Sequence, residues 1–348
     1  MNHSTQTVPE PCQIVITGGA GFLGVRLARA LLAQGQLSLA GAAPVDICRI
    51  TLVDRAAPPA DLLADARVSV VTGDLNALLS GDDAVLDAHT DVVFHLAAAV
   101  SGECEADFDL GMRSNFAATL SLLETCRALK TQPIVVFASS LAVFGDAPGV
   151  PLPPVIEDTT LPTPQSSYGI QKFIGEQLMA DFSRKGFIQG RSVRLMTVSV
   201  RPGQPNGAAS SFLSGMLREP LAGVRAVCPV PPETPVALSS PARTIAGLIG
   251  AAQASAQTWG PRTALTLPAL TTTPAQMAAA LEAVAGPAVA ALIDWVPDAA
   301  IHNIVKTWPA RIHAQRAAGL GLLPDTSFVE IIQAYIRENT DAIKQATA

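Results

Sequence analysis

The sequence predicts an α/β fold, a doubly wound parallel sheet followed by a smaller C-terminal α/β lobe. Two observations support this prediction. Over the first two-thirds of the chain, short β-branched runs alternate with helical stretches, as they do in consecutive βαβ units. Glycines at positions 18, 21 and 24 also stand between the first such run and the first amphipathic helix. That placement is typical of a Rossmann dinucleotide-binding turn.

The individual elements follow from the hydrophobic pattern. Six apolar runs predict buried parallel strands, over residues 14–17, 49–54, 68–72, 92–96, 134–137 and 193–200. Helices are predicted over residues 22–33, 108–129 and 167–182 or slightly beyond. A later helix has a clear beginning, because Thr273 can cap it, Pro274 fits its first position and Gln276 completes a capping box.

Beyond Pro202 prolines and alanines become frequent. We therefore expect a domain over residues 1–202 that carries the cofactor site and the catalytic residues. Residues 203–348 are expected to form mainly a substrate-binding lobe, from which some C-terminal elements return to the sheet.

Composition excludes several classes of function. Hydrophobic residues make up 49% of the 348 residues and charged residues 15%, which suits a thick core, and the net charge of −6 argues against nucleic-acid binding. Mean hydropathy is high at +0.34, but the longest uncharged run, residues 263–281, contains Pro268 and Pro274 and is interpreted as strand, turn and helix. No membrane association is therefore expected.

The location in the cell is predicted from the N-terminus and the cysteines. The N-terminus has no basic region followed by an apolar stretch, so no signal peptide is expected. The five cysteines form no Cys-x-x-Cys pair and are odd in number, which favours free thiols in a reducing compartment. The protein is predicted to be cytoplasmic.

The glycine turn predicts where a dinucleotide binds. Gly18 permits a tight turn, Gly21 a close approach of the backbone to a pyrophosphate, and Gly24 close packing of helix on strand. The helix then presents its N-terminal N–H groups to the phosphates. A tight turn without a ligand is the alternative, and the flanking strand and helix argue against it.

Asp54 ends the second predicted strand, where a carboxylate can accept hydrogen bonds from the adenosine ribose and repel a 2′-phosphate. NAD is therefore favoured over NADP. Two features of the sequence are compatible with NADP as the cofactor. Asp54 lies 30 residues after Gly24, with AGAAPVD interpreted as an insertion, and Arg55 follows it directly and could accommodate a phosphate.

Tyr168 and Lys172 are the predicted catalytic pair. They lie four residues apart and so share one face of a helix. Oxidation of an alcohol needs a base for the hydroxyl proton, and a nearby ammonium is expected to lower the pKa of a tyrosine towards that use. A surface helix that happens to show both residues is the alternative. The position of Ser139 and Ser140 argues against this alternative, because they end a predicted strand at the edge of the sheet where ligands bind. Ser140 lies 28 residues before Tyr168.

The segments TGGAGFLG, GDL, HLAA, FASSLAVFG and YGIQK, in this order, resemble the extended short-chain dehydrogenases/reductases. The resemblance implies a catalytic triad of Ser140, Tyr168 and Lys172, with Asn115 in the fourth active-site position. It also implies a homodimer whose interface is formed by the helices over residues 108–129 and 167–182. His95 is then part of a strand end, and no metal site is expected. Phe144 departs from the family, which usually has tyrosine there. The implied catalytic residues are Ser140, Tyr168, Lys172 and Asn115, and the implied cofactor contacts are Gly18, Gly21, Phe22, Leu23, Gly24, Asp54, Arg55, Asp74, Leu75, Ala97, Ala98, Ala99, Tyr168, Lys172 and Val198.

The substrate is narrowed by comparison within that family. Dehydratases place an acidic residue after the active-site Ser or Thr, where this chain has Leu141 and Ala142, so dehydration is not expected. Nucleotide-sugar 4-epimerases need a lobe that grips a nucleotide diphosphate, and the region after Val200 has few aromatics. The segments HLAAAVSGE and RPGQPNGAASSF are similar to the D-erythronate dehydrogenases. The similarity implies NAD-dependent oxidation of the C2 hydroxyl of a four-carbon sugar acid to the 2-oxo acid.

A small hydroxy acid needs a cation for its carboxylate, because bidentate pairing with arginine fixes its orientation. Arg201 and Arg218 are the candidates, with Arg201 preferred because it directly follows the sixth predicted strand. A structural ion pair is the alternative for each. The remaining contacts with the substrate, to its hydroxyl groups and from the catalytic base, are expected from Ser101, Ser140, Tyr168, Ser210 and Ser211. Two other functions stay open: a nucleotide-sugar 4-epimerase, and a non-catalytic NAD-binding sensor, which would be expected to lack the tyrosine or the lysine.

Overall fold

The computed structural model describes residues 10–81, 85–203 and 210–344. The first nine residues, which bear on the absence of a signal peptide, and residues 204–209 of the RPGQPNGAASSF segment lie outside the described residues. The strands are β1 (Cys12–Thr17), β2 (Gln36–Ser38), β3 (Pro44–Asp54), β4 (Val68–Thr72), β5 (Val92–His95), β6 (Ile134–Ser140), β7 (Ile156–Glu157), β8 (Gln189–Leu195), β9 (Thr197–Val198), β10 (Ala226–Cys228), β11 (Val236–Ser239), β12 (Leu265–Thr266), β13 (Leu270–Thr272), β14 (Ile293–Trp295) and β15 (Ile312–His313).

The α-helices are α1 (Phe22–Gln34), α2 (Ala60–Leu63), α3 (Leu75–Ser80), α4 (Ser101–Ala106), α5 (Phe108–Gly111), α6 (Ala118–Leu129), α7 (Ser167–Arg184), α8 (Phe212–Leu221), α9 (Pro241–Gln253), α10 (Ala256–Trp259), α11 (Pro274–Ala285), α12 (Pro287–Ala290), α13 (Ala299–Val305), α14 (Gln315–Gly319) and α15 (Phe328–Glu338). A π-helical turn, Met112–Ala117, joins α5 to α6, and 3₁₀ turns cover Leu141–Val143 and Thr340–Ala342.

The main sheet confirms the predicted fold class. Its parallel strands run in the order β12, β8, β6, β5, β1, β3, β4, and β2 adds an antiparallel pairing to the start of β3. From β1 the chain moves outward in one direction to β3 and β4, and then returns to build β5, β6, β8 and β12 on the other side. The order therefore reverses between β1 and β5, and their carboxyl ends form the crevice in which such sheets bind ligands.

Two strands differ from the prediction. The residues interpreted as an insertion before Asp54 belong to a hairpin, in which Leu37 pairs with Val45 and β3 begins at Pro44. The run over residues 193–200 is divided, because β8 ends at Leu195 and Thr197–Val198 pairs with β11 outside the main sheet. The chain thus leaves the main sheet at Met196 and enters the lobe.

The predicted helix over residues 108–129 is also divided. Its π-helical turn contains Asn115, whose side chain is 2% exposed. Such turns insert one extra residue into a helix and often occur at functional sites. The predicted start of α11 is confirmed, since Thr273 accepts a hydrogen bond from the Gln276 N–H and the Gln276 side chain accepts one from the Thr273 N–H.

Residues after Pro202 pack into two different cores. Buried side chains of α8, α11 and α15 form a separate core with those of β10 and β11. In contrast, α9, α10, β12 and α14 pack against the main sheet, where Leu248, Leu265 and Ala317 are fully buried. This arrangement leaves one cleft between the carboxyl edge of the main sheet and the segments that lead into the lobe.

Candidate active site

A cleft of about 830 Å³ runs along the carboxyl ends of the parallel strands. Its volume lies in the range of small-molecule and cofactor sites. Most of the residues that the sequence singled out line it: Gly18, Gly21, Phe22, Leu23, Gly24, Asp54, Arg55, Asp74, Leu75, Ala97, Ala98, Ala99, Ser101, Ser140, Tyr168, Lys172, Val198, Arg201 and Ser210.

The glycine turn is shaped for a close approach of backbone to ligand. Gly18 has φ +71°, and a Cβ there would come within 2.8 Å of the Ala97 backbone nitrogen. A Cβ on Gly24 would lie 2.2 Å from the Gly18 carbonyl oxygen, so the start of α1 packs directly on the turn. The 13-residue helix α1 has no acidic residue in its first turn. Its positive end therefore faces the cleft without a carboxylate of its own helix to neutralise it, and the turn fits a pyrophosphate.

Asp54 stands beside that turn. One of its carboxylate oxygens accepts from the Ala20 N–H at 3.0 Å, and the other accepts from the Arg55 N–H at 2.7 Å. The Ala56 N–H also donates to it, at 3.3 Å. An ionised carboxylate has about four acceptor positions, so the carboxylate retains capacity for a ribose hydroxyl. The Arg55 side chain turns away and forms an ion pair with Asp74 at the rim of the cleft.

Ser140, Tyr168 and Lys172 come together at the other end of the cleft. Ser140 ends β6; its hydroxyl accepts from the Ala142 N–H at 3.1 Å and lies close enough to Tyr168 to act on the pKa of the phenol. Ser166 caps α7 by accepting from the Gly169 N–H, which fixes the first turn that carries Tyr168. Lys172 is 3% exposed, donates to the Ala138 carbonyl at 2.9 Å and lies 5.7 Å from the centre of the Tyr168 ring.

The pKa values in this group follow from burial. Burial raises the pKa of Tyr168 to about 12, although the Ser140 hydroxyl and the Arg201 charge act to lower it. Burial also lowers the pKa of Lys172 to about 8. The sequence predicted a lowered tyrosine pKa, and this expectation is wrong for the cleft as it stands. Loss of hydration of the phenolate outweighs the favourable charges, and the Lys172 ammonium donates to Ala138 instead of the phenol.

Asn115 does not line the cleft. Its carboxamide accepts from the Ala99 N–H at 2.8 Å and donates to the Ala99 carbonyl at 3.2 Å and to Gln171 Oε1 at 2.8 Å. The predicted fourth active-site residue therefore holds the cleft-lining backbone at Ala99 and links it to α7. His95 is buried between Thr17 and Thr119, and burial lowers its pKa to about 3, so it is a neutral, hydrogen-bonded part of the strand end.

A buried ion pair helps to hold α7, the helix that carries Tyr168 and Lys172. Glu176, one turn after Lys172, accepts from the Arg194 guanidinium at 2.9 and 2.7 Å and from the Ser139 hydroxyl at 2.5 Å. The Arg194 and Glu176 side chains are 6% and 2% exposed. Arg194 also lies 4.8 Å over the ring of Phe144, the residue that departs from the family pattern. These contacts fasten α7 to β6 next to Ser140.

The two candidate arginines have different surroundings. Arg201 lines the cleft, and its guanidinium donates to the Ser210 hydroxyl at 3.3 Å. Arg218 is 8% exposed and does not line the cleft; it donates to the Arg201 carbonyl at 2.9 Å and pairs with Glu219 at 2.5 Å. The Arg218 contacts fit the structural alternative given for this residue, whereas within the described residues no carboxylate pairs with Arg201.

Sequence reasoning missed the apolar wall contributed by the lobe. Ile304 on α13 and Trp308 just after it line the cleft. Both lie far along the chain from the motifs, so no local pattern in the sequence connects them with the site. Glu105 was missed as well; it lines the cleft and accepts from the Ser167 N–H at 2.7 Å, at the N-terminus of α7.

Comparison with known proteins shows the family to which the chain belongs. The model of the NAD dependent epimerase/dehydratase family matches residues 14–232. The chain belongs to this family. Two curated relatives are named D-erythronate dehydrogenase: one from Cupriavidus necator, 54% identical over 329 residues that cover 93% of this chain and 98% of the relative, and one from Haemophilus influenzae, 43% identical over 324 residues with the same coverage.

Among solved structures, the nucleoside-diphosphate-sugar epimerase from Agrobacterium tumefaciens is 39% identical, with a TM-score of 0.87 over 98% of this chain and 99% of that one. Family membership and the two full-length relatives show that the protein is an NAD-dependent dehydrogenase, as the sequence predicted. Within the described part of the chain, no helix is long and apolar enough to cross a membrane.

Proposed function

We propose that this protein oxidises the C2 hydroxyl of D-erythronate to 2-oxo-tetronate. The observation that carries the proposal is the position of Arg201. It lies in the same cleft as Ser140, Tyr168 and Lys172, and among the described residues no carboxylate pairs with it. The names of the two full-length relatives support the same substrate.

Tyr168 is proposed as the base that takes the hydroxyl proton. Ser140 lies in the same cleft, close enough to act on the pKa of Tyr168, and can hold the substrate hydroxyl against it. Bound NAD supplies the hydride acceptor. The Lys172 ammonium, 5.7 Å from the centre of the Tyr168 ring, favours the phenolate, and the Arg201 charge acts in the same direction until a substrate carboxylate neutralises it.

Arg201 is proposed to bind the substrate carboxylate. Its backbone is held on both sides by α8, because its N–H donates to the Ser214 hydroxyl at 3.0 Å and its carbonyl accepts from Arg218. Its guanidinium is thus presented on a fixed support. Arg218 then has a structural part, since it fixes the residue that carries the contact. A planar guanidinium can engage a carboxylate through two parallel hydrogen bonds, which orients the neighbouring C2.

A nucleotide-sugar epimerase is the second candidate, because the solved relative from Agrobacterium tumefaciens carries that description. A nucleotide diphosphate needs a long, cationic site beyond the catalytic group. Among the described residues that line the cleft, Arg201 is the one cation besides Arg55 at the rim and Lys172 of the catalytic group, which favours a substrate with a single carboxylate.

The remaining parts of the proposal concern organisation. We propose a cofactor domain over residues 1–202 and a lobe mainly over residues 203–348, with α9, α10, β12 and α14 added to the sheet side. A cytoplasmic location is consistent with five free cysteines, at Cys12, Cys48, Cys104, Cys126 and Cys228.

A homodimer is proposed through the helices that begin at Phe108 and Ser167. Phe108 and Ile170 are 61% and 46% exposed on these helices, and a partner packed on the helices would cover this apolar surface. Light scattering at micromolar concentration is expected to give the mass of two chains, and a monomer would contradict the proposal.

The proposed reaction is tested by measuring NAD reduction with purified protein on D-erythronate, its C2 epimer, erythritol and UDP-glucose in parallel. We expect fast reduction of NAD with D-erythronate. Erythritol differs from it only in having a hydroxymethyl group in place of the C1 carboxylate, and we expect little reduction of NAD with it. Conversion of UDP-glucose to its C4 epimer without net NAD reduction would favour the epimerase instead.

A further inference from the structure

The rim of the cleft carries an ion pair that sequence reasoning did not connect. Arg55 directly follows Asp54, and its guanidinium contacts the carboxylate of Asp74. Their side chains are 66% and 43% exposed, so both remain accessible from solvent. The pair joins the ends of β3 and β4 at the part of the cleft where Asp54 stands.

The surroundings of Asp54 explain why this pair matters for a nucleotide. The Asp54 carboxylate is held by backbone N–H groups, from Ala20 at 3.0 Å and Arg55 at 2.7 Å, and not by the Arg55 guanidinium. The cation nearest to Asp54 in sequence is therefore directed to a second carboxylate. A 2′-phosphate beside Asp54 would meet two negative side chains, with the one adjacent guanidinium already engaged.

We propose that Asp74 is a determinant of cofactor specificity, because it holds Arg55 away from the position in which the guanidinium would bind a 2′-phosphate. Arg–phosphate pairing is the interaction by which proteins accept the additional phosphate of NADP. Asp54 and Asp74 thus act by different means: Asp54 accepts the ribose hydroxyls, and Asp74 withholds the cation. Since exposed ion pairs are weak, Asp74 adjusts the preference by a modest factor and does not exclude NADP.

The substitution Asp74→Asn isolates this effect. Asp74 also caps α3, accepting from the Asn76 N–H at 3.1 Å and the Ala77 N–H at 3.4 Å, and asparagine caps helices about as well as aspartate. The change therefore removes the charge and keeps the cap. Asp74→Ser is a second variant that also retains capping, should the first fold poorly.

The measurement is the equilibrium Kd of purified protein for NADP and for NAD, by calorimetric titration without substrate. In Asp74→Asn the ratio of the two Kd values is expected to move ~3–10-fold towards NADP. This gain should shrink at high salt, and it should disappear in the double variant Asp74→Asn/Arg55→Ala.

Asp61→Asn is the matched control, because Asp61 forms a similarly exposed pair with Arg29 at 2.7 Å outside the cleft lining. It changes the net charge equally and should leave the Kd ratio as in wild type. An unchanged ratio in Asp74→Asn, a gain that survives Arg55→Ala, or an equal shift in Asp61→Asn would each overturn the proposal.

Discussion

Two arginine–carboxylate pairs, one at the rim of the cleft and one buried behind the catalytic residues, differ in their access to water. At the rim, Arg55 and Asp74 are 66% and 43% exposed. Beneath the catalytic group, Arg194 and Glu176 are 6% and 2% exposed, and Glu176 is also bonded to Ser139. An exposed pair is worth little and exchanges partners easily. A buried pair cannot lose one member without leaving an uncompensated charge.

This difference matches the tasks of the two ends. The rim pair can adjust which nucleotide is accepted, because rearranging it has a low free-energy cost. The buried pair joins α7 to β8, and the Ser139 bond to Glu176 joins α7 to β6, so that Tyr168 and Lys172 keep a fixed distance from Ser140. Specificity at one end of the cleft is therefore expected to be easy to alter, and the geometry at the other end difficult.

The largest effect is expected at the buried end from Tyr168→Phe. Loss of a general base should lower kcat at least ~10²-fold, while the Kd for NAD changes little because the ring remains. Steady-state kinetics and a binding titration on the same preparation give both quantities. A variant that keeps more than about a tenth of the wild-type kcat would remove Tyr168 from the role of base.

The pH dependence of the same reaction sharpens this prediction. With the Tyr168 pKa raised to about 12, the reactive phenolate is the minor form near neutral pH, so kcat/KM should rise with pH. The Lys172 pKa is lowered to about 8, so the supporting ammonium is lost above that value and the rise should flatten there. A profile that falls from pH 6 to pH 8 would contradict the assignment.

The next largest effect is expected from Glu176→Gln. It leaves the Arg194 guanidinium buried without a counter-charge, which costs about 3–5 kcal/mol of unfolding free energy. Chemical denaturation measures the loss. Asp181→Asn is the matched control on the same helix, since Asp181 and Arg184 form an exposed pair at 2.6 Å, and it should cost less than about 1 kcal/mol. Equal losses in the two variants would show that burial does not distinguish the pairs.

A smaller effect is expected at the rim from Asp54→Ala. The variant should bind NAD more weakly and narrow the gap to NADP, because it removes both the ribose hydrogen bonds and the repulsion of a 2′-phosphate. The ratio of kcat/KM for NAD and NADP reports the change. If that ratio stays at its wild-type value, Asp54 does not face the ribose.

Much of the fold could be predicted from local patterns. The glycine turn, the starts of α1 and α7 and the capping box at Thr273 each depend on a few neighbouring residues, and the structure has all of them. Residues 193–200 were predicted less well, because their division depends on pairing of Thr197 with Leu238, a distant partner that the run itself does not reveal.

The candidate site shows the same limit. Motifs pointed to the residues at strand ends, but the environment of each group depends on residues far along the chain. The Tyr168 pKa is raised because of burial by other segments, and the Arg218 guanidinium contacts Glu219 and the Arg201 carbonyl. Ile304 and Trp308 reach the cleft only because the lobe folds over it.

The most direct test of the central claim, that Arg201 makes this cleft a hydroxy-acid site, is the ratio of kcat/KM for D-erythronate to that for erythritol, in wild type and in Arg201→Ala. Wild type should prefer the acid strongly. In Arg201→Ala, kcat/KM for the acid should fall by ~10² or more, since a desolvated charged hydrogen bond contributes up to ~3 kcal/mol, while erythritol and NAD affinity change little. Arg201→Lys should fall between the two, because it keeps the charge and loses the planar fork. A ratio in Arg201→Ala within a few-fold of wild type would contradict the claim.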